Sequence, residues 1–293
     1  MVNGIVNVYK EKGYTSFDVV AKMRGMFHQK KIGHTGTLDP DAEGVLPVCL
    51  GKATKVCDLL TDKDKEYEAV LLLGIQTDTL DMSGTIINTC PDIPSVEVIR
   101  ETILSFRGDI MQVPPMYSAL KVNGQKLCNL ARQGITVERQ ARPVHIHEIE
   151  ILEMNLPEVR MRVHCSKGTY IRTLCDDIGT KLGCFGVMKS LVRTRVSCFQ
   201  LQNALTLSQI QEKIDKKGEM DFIYSVDSVF EHYEKAVVSR NYEKELVNGN
   251  KLPFDGIVGA SSDTIRIYDW NDRFIGIYTR EDGVYKPLKL FME

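Results

Sequence analysis

The pattern of apolar and polar positions along the chain predicts short strands interleaved with helices. Strands are predicted where brief apolar or alternating runs end at turn residues: 5–9, 67–73, 85–88, one or two within 135–153, 159–165 and part of 187–199. Helices are predicted where apolar residues recur every three or four positions: 16–27, 54–60, 95–106, 125–133, 170–182 and one that opens at Thr206. This order of elements is typical of an α+β fold with a mixed, mainly antiparallel sheet and flanking helices.

Two of these helices have recognisable starts. Ser16 is expected to cap the first helix, whose apolar stripe would be Phe17, Val20, Met23 and Phe27. Thr206 is followed three residues later by Gln209, which is a capping-box pattern.

The last sixty or so residues have the pattern of short strands separated by turns, with no predicted helix. Short strands are predicted at 236–239, 264–268, 274–278 and 284–290, and pairs such as Asp282-Gly283 supply turn chemistry between them. A boundary near residues 231–235 is therefore expected, which divides the chain into a domain of residues 1–232 and a small β-rich domain of residues 233–293.

The segment 33–47 is the most unusual stretch of the chain. Three glycines and two prolines surround Asp39, and this composition argues against a regular helix or a central strand, so a shaped loop is predicted. Asp39 precedes a proline, which favours an extended backbone that can present the carboxylate as a nucleophile or an acid/base. A plain structural turn with surface acids remains an alternative from spacing alone.

Two ligand-binding motifs can be tested against the same segment, and both fail. A calcium loop that begins at Asp39 would need a bidentate Glu at its twelfth position, where Leu50 stands. A phosphate loop that ends near Lys52 would need glycine in place of Leu46, and Ser or Thr in place of Ala53.

Composition places the chain among ordinary globular proteins, with 43% hydrophobic and 26% charged residues among 293. No apolar run approaches the roughly 20 residues of a membrane helix, and the first residues carry no secretory or myristoylation pattern, so no membrane attachment is expected. The eight cysteines are dispersed without a CxxC motif and predict reduced core residues in a cytoplasmic protein.

Charge is nearly balanced overall but uneven along the chain. The net charge is −2, while basic residues cluster at 22–31, 121–142 and 160–195. Such clusters indicate a specific polyanion footprint, and solvated faces are an equal alternative on charge alone. His145 and His147 lack a cysteine or carboxylate at metal-ligand spacing, so a solvated or phosphate-facing pair is favoured over zinc.

Five ordered motifs resemble those of the TruB-type pseudouridine synthases, the bacterial enzymes that modify position 55 of tRNA. The resemblance spans roughly residues 3–290. It is carried by these segments: Lys31–Pro40 with Gly44–Pro47, Lys65-Glu66-Tyr67 with Thr77–Asp81, Pro114–Lys121, Ser166–Leu174 and Leu191–Arg195.

The resemblance implies a pseudouridine-synthase fold and a PUA-like RNA-binding domain at the C-terminus. The implied reaction isomerises a uridine of the tRNA T-loop to pseudouridine after the base is flipped out. Because no oxidation state changes and no phosphoryl group moves, the resemblance implies no cofactor and no metal. A monomer is expected.

The resemblance also implies roles for particular residues. Asp39 would be the nucleophile, Tyr67 would supply an aromatic face and proton handling, and Arg172 would pair with Asp39 and lower the pKa of its carboxyl group by about 1–3 units. The expected substrate-binding residues are His34, Leu191, Lys10 and Asp81, together with four in a thumb insertion at about 114–143: Met116, Lys121, Lys126 and Arg132.

Other functions compete with a stand-alone tRNA enzyme. One is the catalytic subunit of a guide-RNA ribonucleoprotein, and another is a tRNA-folding protein in which chemistry is secondary. A third, an aspartyl-phosphate phosphatase built on Asp39-Pro40-Asp41, expects an apolar strand before the first aspartate, and residues 36–38 are a poor match.

Overall fold

One large mixed sheet organises most of the molecule. The computed structural model describes residues 1–122, 124–216 and 220–292. The helices of this part are α1 Ser16–Met26, α2 Cys57–Thr61, α3 Val96–Leu104, α4 Leu127–Arg132, α5 Ile171–Leu182, α6 Leu207–Asp215 and α7 Glu243–Val247, with short 3-10 helices at Gly51–Val56, Leu201–Asn203, Val226–Phe230, Arg240–Tyr242 and Phe254–Gly256.

The strands fall into two large sheets and two hairpins. The strands of the first sheet and the two hairpins are β1 Gly4–Lys10, β2 Ile32–His34, β3 Glu43–Leu50, β4 Lys65–Leu73, β5 Ile75–Thr77, β6 Ile86–Thr89, β7 Gly108–Gln112, β8 Lys121–Val122, β9 Gln125–Lys126, β10 Arg142–Asn155, β11 Glu158–Cys165, β12 Gly186–Val196, β13 Phe199–Gln200 and β14 Ile223–Tyr224. The remaining strands are β15 Glu234–Val238, β16 Leu252–Pro253, β17 Ile257–Val258, β18 Thr264–Tyr268, β19 Phe274–Glu281 and β20 Val284–Leu290.

The first sheet has ten strands in the order β14-β1-β3-β12-β4-β11-β10-β7, with β2 and β13 joined to β3 and β12. Its pairs are antiparallel except for the parallel contact between β12 and β3. The predicted mixed, mainly antiparallel sheet is thus confirmed. Helices α3 and α5 cover the half of the sheet that holds β4, β10 and β11, while α1 and α6 pack on β1 and β3.

The second sheet confirms the β-rich C-terminal part. Its order is β16-β20-β19-β18-β15-β17, and its first strand begins at Glu234. Residues of this part join the core of the first sheet, since Ile277 and Phe291 pack in one cluster with Ile5 and Val45. The division at residue 232 and the PUA-like character remain predictions.

The first helix corrects two expectations. Its N-cap is Thr15, whose hydroxyl accepts a hydrogen bond from the Asp18 N–H in a complete capping box. Ser16 is instead buried inside the helix, and Phe17 is 64% exposed, so the buried stripe is shifted to Val19, Val20 and Met23. The predicted capping box at Thr206 is confirmed.

The segment 33–47 is a loop only in part, because residues 43–50 form the central strand β3. A central strand with a proline was not expected. The Pro47 carbonyl accepts a hydrogen bond from the Thr35 N–H at 3.2 Å, so the nitrogen of Pro47 also points away from β1. Its missing N–H therefore removes no hydrogen bond from the pairing of β3 with β1.

Helix length and cysteine burial bear on the predictions made from composition. No helix in the described ranges is long and apolar enough to cross a membrane. The eight cysteines are free thiols; four of them are buried, and Cys198 is exposed, so the prediction of core cysteines holds for about half of them.

Candidate active site

The loop between β2 and β3 is held by residues from three distant segments. The Ser16 hydroxyl accepts a hydrogen bond from the Leu38 N–H at 2.9 Å. The Lys10 ammonium donates to the Pro40 carbonyl at 3.1 Å, and the Arg193 guanidinium donates to the Gly36 carbonyl at 3.2 Å. These contacts fix the backbone on both sides of Asp39.

Asp39 and Arg172 form a two-point ion pair, as the resemblance implied. Nε of Arg172 lies 3.1 Å from Oδ2 of Asp39, and Nη2 lies 3.3 Å from Oδ1. The Arg172 side chain is 6% exposed, whereas the Asp39 side chain is 37% exposed. A buried guanidinium therefore orients a carboxylate that still faces the outside.

The other donors of Arg172 are also satisfied. Nη1 donates to the Thr79 carbonyl at 3.2 Å and lies 3.5 Å from a carboxylate oxygen of Asp81. Nη2 donates to the Tyr117 carbonyl at 2.7 Å. Asp81 is thus a second carboxylate on the same guanidinium, and its other oxygen accepts from Thr79 and Ser83.

The ionisation of Asp39 differs from the expectation. Burial raises the pKa of the Asp39 carboxyl above its ordinary value, and Arg172 opposes this effect without cancelling it. The guanidinium therefore lowers the pKa as expected, but the net direction is upward because desolvation is larger.

Tyr67 is near this pair, since, besides burial, the charge of Asp39 contributes to raising the pKa of its phenol. It is buried on β4 in one cluster with Leu38 and Leu191. Burial raises the pKa of the Tyr67 phenol, and a hydrogen bond with Arg193 opposes the rise. An aromatic ring, an apolar wall from Leu191 and an ion pair thus meet in one place.

His34 lies at the end of β2 beside the loop. Its Nδ1 accepts a hydrogen bond from the Gly36 N–H at 3.2 Å, so the proton of the neutral ring is on Nε2. Burial, followed by the charge of Arg193, lowers the pKa of His34, so the ring is neutral at pH 7.

Lys10 is fully buried at the end of β1. Its ammonium donates to the carbonyls of Tyr14 at 2.6 Å, Pro40 at 3.1 Å and Glu11 at 3.2 Å. Burial lowers the pKa of Lys10 to about 8, and the carboxylates of Glu43 and Asp39 oppose this shift. The contacts make Lys10 a support of the loop.

Comparison with known proteins identifies the family to which this constellation belongs. The model of the TruB family pseudouridylate synthase N-terminal domain matches residues 24–171, and that of the tRNA pseudouridylate synthase B C-terminal domain matches residues 172–237. The chain belongs to the TruB family of pseudouridylate synthases.

Full-length relatives agree with this membership. The chain is 52% identical to tRNA pseudouridine synthase B of Lachnoclostridium phytofermentans over 99% of this chain and 100% of the relative. It is 44% identical to the protein of the same name from Clostridium acetobutylicum over 99% of both chains.

Solved structures confirm the pseudouridine-synthase fold. A Cbf5-Nop10-Gar1 complex contains a chain with a TM-score of 0.75 and 28% identity, matched over 99% of this chain and 85% of that one. An H/ACA RNP bound to a substrate RNA containing 2′-deoxyuridine gives a TM-score of 0.75 and 25% identity over the same shares.

The predicted thumb, residues 114–143, touches the site at its base, where the Tyr117 carbonyl accepts a hydrogen bond from Arg172. Met116 is half-buried at its base, while Lys121, Lys126 and Arg132 are exposed. Lys121 and Lys126 line a surface depression of about 430 Å³. The structure does not bring these three cations to Asp39, and the carbonyl of Tyr117 is the thumb's link to Arg172.

The third basic cluster, residues 160–195, is mostly neutralised by acidic side chains. Arg160 and Arg162 pair with Glu68 across the sheet, and Arg162 also pairs with Glu150. Strand pairing brings these carboxylates from far along the chain, which the local charge count could not register.

Sequence reasoning missed two residues that shape the loop. The sequence predicts a helix cap at Ser16, and Arg193 lies within one of the motifs that carry the resemblance. Arg193 is 1% exposed, and its Nε donates to the Val45 carbonyl at 2.7 Å. The glycines of the loop were the available signal, because Gly44 leaves room for the Arg193 backbone.

Proposed function

We propose that this protein isomerises a uridine in the T-loop of tRNA to pseudouridine, with Asp39 as the nucleophilic carboxylate. The observation that carries the proposal is the two-point Asp39–Arg172 pair on a loop that hydrogen bonds fix on both sides of Asp39. The family supports the reaction type, and relatives named tRNA pseudouridine synthase B support tRNA as the substrate.

The reaction rearranges bonds within one nucleotide. The base leaves the helical stack, the bond between N1 and C1′ breaks, the uracil turns, and a bond forms between C5 and C1′ while C5 loses its proton and N1 gains one. Asp39 supplies the charged carboxylate, and Arg172 keeps that carboxylate oriented and ionised.

The surrounding residues receive supporting roles. Tyr67 offers a ring face to the flipped uracil, and burial raises the pKa of its phenol above the ordinary value of about 10. Leu191 packs against the base, while the neutral His34 ring helps to hold the nucleotide out of its stack. Lys10 supports the loop and Asp81 supports Arg172, and their direct contact with substrate remains a prediction.

The thumb residues are assigned to phosphate contacts. Lys121, Lys126 and Arg132 are exposed and far along the chain from the loop. Substitution of one of them should weaken tRNA binding and reduce its dependence on salt, with little effect on the rate at saturating tRNA.

Tritium release tests the proposed activity. Unmodified tRNA labelled at C5 of uridine is mixed with purified protein and no guide RNA, in EDTA. Release that maps to the T-loop and disappears in the Asp39→Asn variant would support the proposal. Absence of release while the tRNA stays bound would contradict it.

A guide-dependent function is the second candidate, because chains in H/ACA complexes share this fold at a TM-score of 0.75. Release that starts only when guide RNA and partner proteins are added would favour it. A tRNA-folding role would be supported by an Asp39→Asn protein that still refolds tRNA. Monomeric state and cytoplasmic location remain predictions.

A further inference from the structure

Three potential metal ligands meet on the face of the first sheet opposite Tyr67. Asp64, His147 and His164 each offer one ligand atom, and these atoms all lie within 4.8 Å of one another. Asp64 comes directly before β4, His147 lies on β10 and His164 on β11. The spacing along the chain hides this cluster, because Asp64 is distant in sequence from both histidines.

An irregularity in strand pairing creates the cluster. Ile146 pairs with Cys165 and Glu148 pairs with His164, so His147 is an additional residue in β10 at a bulge. Bulges re-aim side chains and are common beside functional sites. The backbone of Asp64 is also fixed, since its carbonyl accepts a hydrogen bond from the Ser197 N–H at 3.3 Å.

One ring nitrogen of His164 lacks a hydrogen-bond partner. Its Nε2 is buried and has no hydrogen-bond partner among the described residues. A neutral imidazole whose proton is on Nδ1 presents a lone pair on Nε2, which is the form that binds a metal. A buried polar atom without a partner is costly and calls for a ligand or water.

An ion pair alone does not account for the cluster. Nε2 of His147 lies 3.2 Å from Oδ2 of Asp64, which would satisfy those two groups by themselves. It leaves Nε2 of His164 unsatisfied. A phosphate is disfavoured because the carboxylate of Asp64 lies within the cluster and Asp109 lies 2.7 Å from the neighbouring His145.

We propose that Asp64, His147 and His164 bind a divalent transition-metal ion, for which zinc is the best match. Two imidazoles and one carboxylate form a ligand set that zinc accepts at about 2.0–2.2 Å, with water in the fourth position. Tetrahedral ligand atoms then stand about 3.4 Å apart. The side chains of Asp64 and His147 are 48% and 35% exposed and can rotate inward.

The bound ion would join the start of β4 to β10 and β11, on the face away from the reacting base. The proposed role of the ion is therefore to stabilise the sheet, and it takes no part in the isomerisation. This separates the metal proposal from the proposed function, because zinc binding is measured without tRNA.

Isothermal titration with zinc tests the site. We expect one zinc per chain, with binding weakened at least about 100-fold in His147→Ala and in His164→Ala, since loss of even an outer-shell partner costs 10–100-fold. His232→Ala is the matched control, because this histidine lies outside the cluster and should bind zinc as the parent protein does. All eight cysteines remain in every variant.

Two further readouts keep the test decisive. Cobalt should give the visible absorption of a tetrahedral ion, and Asp64→Asn should abolish this signal while the circular dichroism stays unchanged. Zinc should also raise the melting temperature of the parent protein and not that of His164→Gln. Zinc binding that survives in both histidine variants, or no saturable binding to the parent protein, would overturn the proposal.

Discussion

At the scale of single residues, the site depends on a balance between burial and charge at Asp39. Burial raises the pKa of the carboxyl, and Arg172 opposes the rise from two contacts of 3.1 and 3.3 Å. The partial exposure of Asp39 keeps it accessible to substrate. Arg172 therefore orients the Asp39 carboxylate from the protein interior, while part of the same carboxylate is exposed to solvent.

Replacement of Asp39 by Asn should abolish turnover and leave tRNA binding nearly intact. The amide keeps the shape of the side chain but removes the nucleophilic charge, so the rate should fall by about 10³-fold or more. Single-turnover tritium release and filter binding measure the two effects. The exposed Asp41→Asn variant is the control and should retain its rate; normal turnover in Asp39→Asn would remove Asp39 from the mechanism.

Replacement of Arg172 by Ala should lower the rate even at saturating tRNA. Asp39 and Asp81 would both lose their buried partner, which also destabilises the fold by about 1–3 kcal/mol after allowance for the exposure of Asp39. Turnover and urea denaturation measure the two effects. A change in tRNA affinity alone would make Arg172 a phosphate anchor.

The raised pKa of Asp39 predicts a particular acid limb in the pH–rate profile. The carboxylate is lost as pH falls through its folded pKa, so activity should decline at a pH above the ordinary aspartate value of about 3.9. Loss of the Arg172 charge in Arg172→Gln should move the limb to still higher pH. The tritium-release rate between pH 4 and 8 provides the measurement, and a limb that stays in place would contradict the assignment.

At the scale of elements, the close contact between β3 and β12 depends on Gly44. Its φ is +104°, and a Cβ at this position would lie 2.3 Å from the Arg193 carbonyl oxygen. The two strands are paired side by side here, with Gly44 directly opposite Arg193, and a side chain at Gly44 would meet the backbone of β12. This approach is what brings the Arg193 guanidinium beneath the loop that carries Asp39.

Gly44→Ala should destabilise the protein more than Gly13→Ala. Both glycines have positive φ, but a Cβ at Gly13 would meet nothing within 4 Å. Gly13→Ala should thus show only the conformational penalty of about 1–2 kcal/mol, and Gly44→Ala should add about 1–3 kcal/mol from the clash. Urea denaturation gives both values, and equal losses would show that β3 and β12 separate easily.

The sequence predicted most elements because their signals are local. The apolar run of β4, the alternation in β11 and the capping box at Thr206 depend on nearby residues, and all three predictions are confirmed. The sequence does not predict the strand at 43–50 because Pro47 argues against a central strand, and only the strand pairing reveals that the nitrogen of Pro47 points away from β1. The roles of Ser16, Arg193 and Asp64 come from contacts between distant segments, which no local pattern encodes.

At the scale of the whole molecule, the two large sheets share one core. Phe291 follows β20, and its ring packs against Phe230 and Phe274 at centroid distances of 5.9 and 5.3 Å. Ile5 and Val45 of the first sheet belong to the same cluster. The C-terminal part and the first sheet should therefore unfold together.

Phe291→Ala should lower the stability of the entire chain by about 3–5 kcal/mol because it opens a cavity in the shared core. Leu288→Ala is the control, since Leu288 is 62% exposed, and it should change stability by no more than about 0.5 kcal/mol. Fluorescence of the single tryptophan, Trp270, reports the second sheet, and circular dichroism reports both. Two separate transitions would contradict a shared core.

The hydrogen bond from Arg172 to the Tyr117 carbonyl links the thumb to the site of Asp39. One guanidinium joins four stretches of chain: the loop of Asp39, the turn of Thr79 and Asp81, the base of the thumb and helix α5. A shift of the thumb by one or two ångströms would withdraw one of its acceptors and leave the others to realign. Movement at Tyr117 would therefore reach the carboxylate of Asp39 through the guanidinium that orients it.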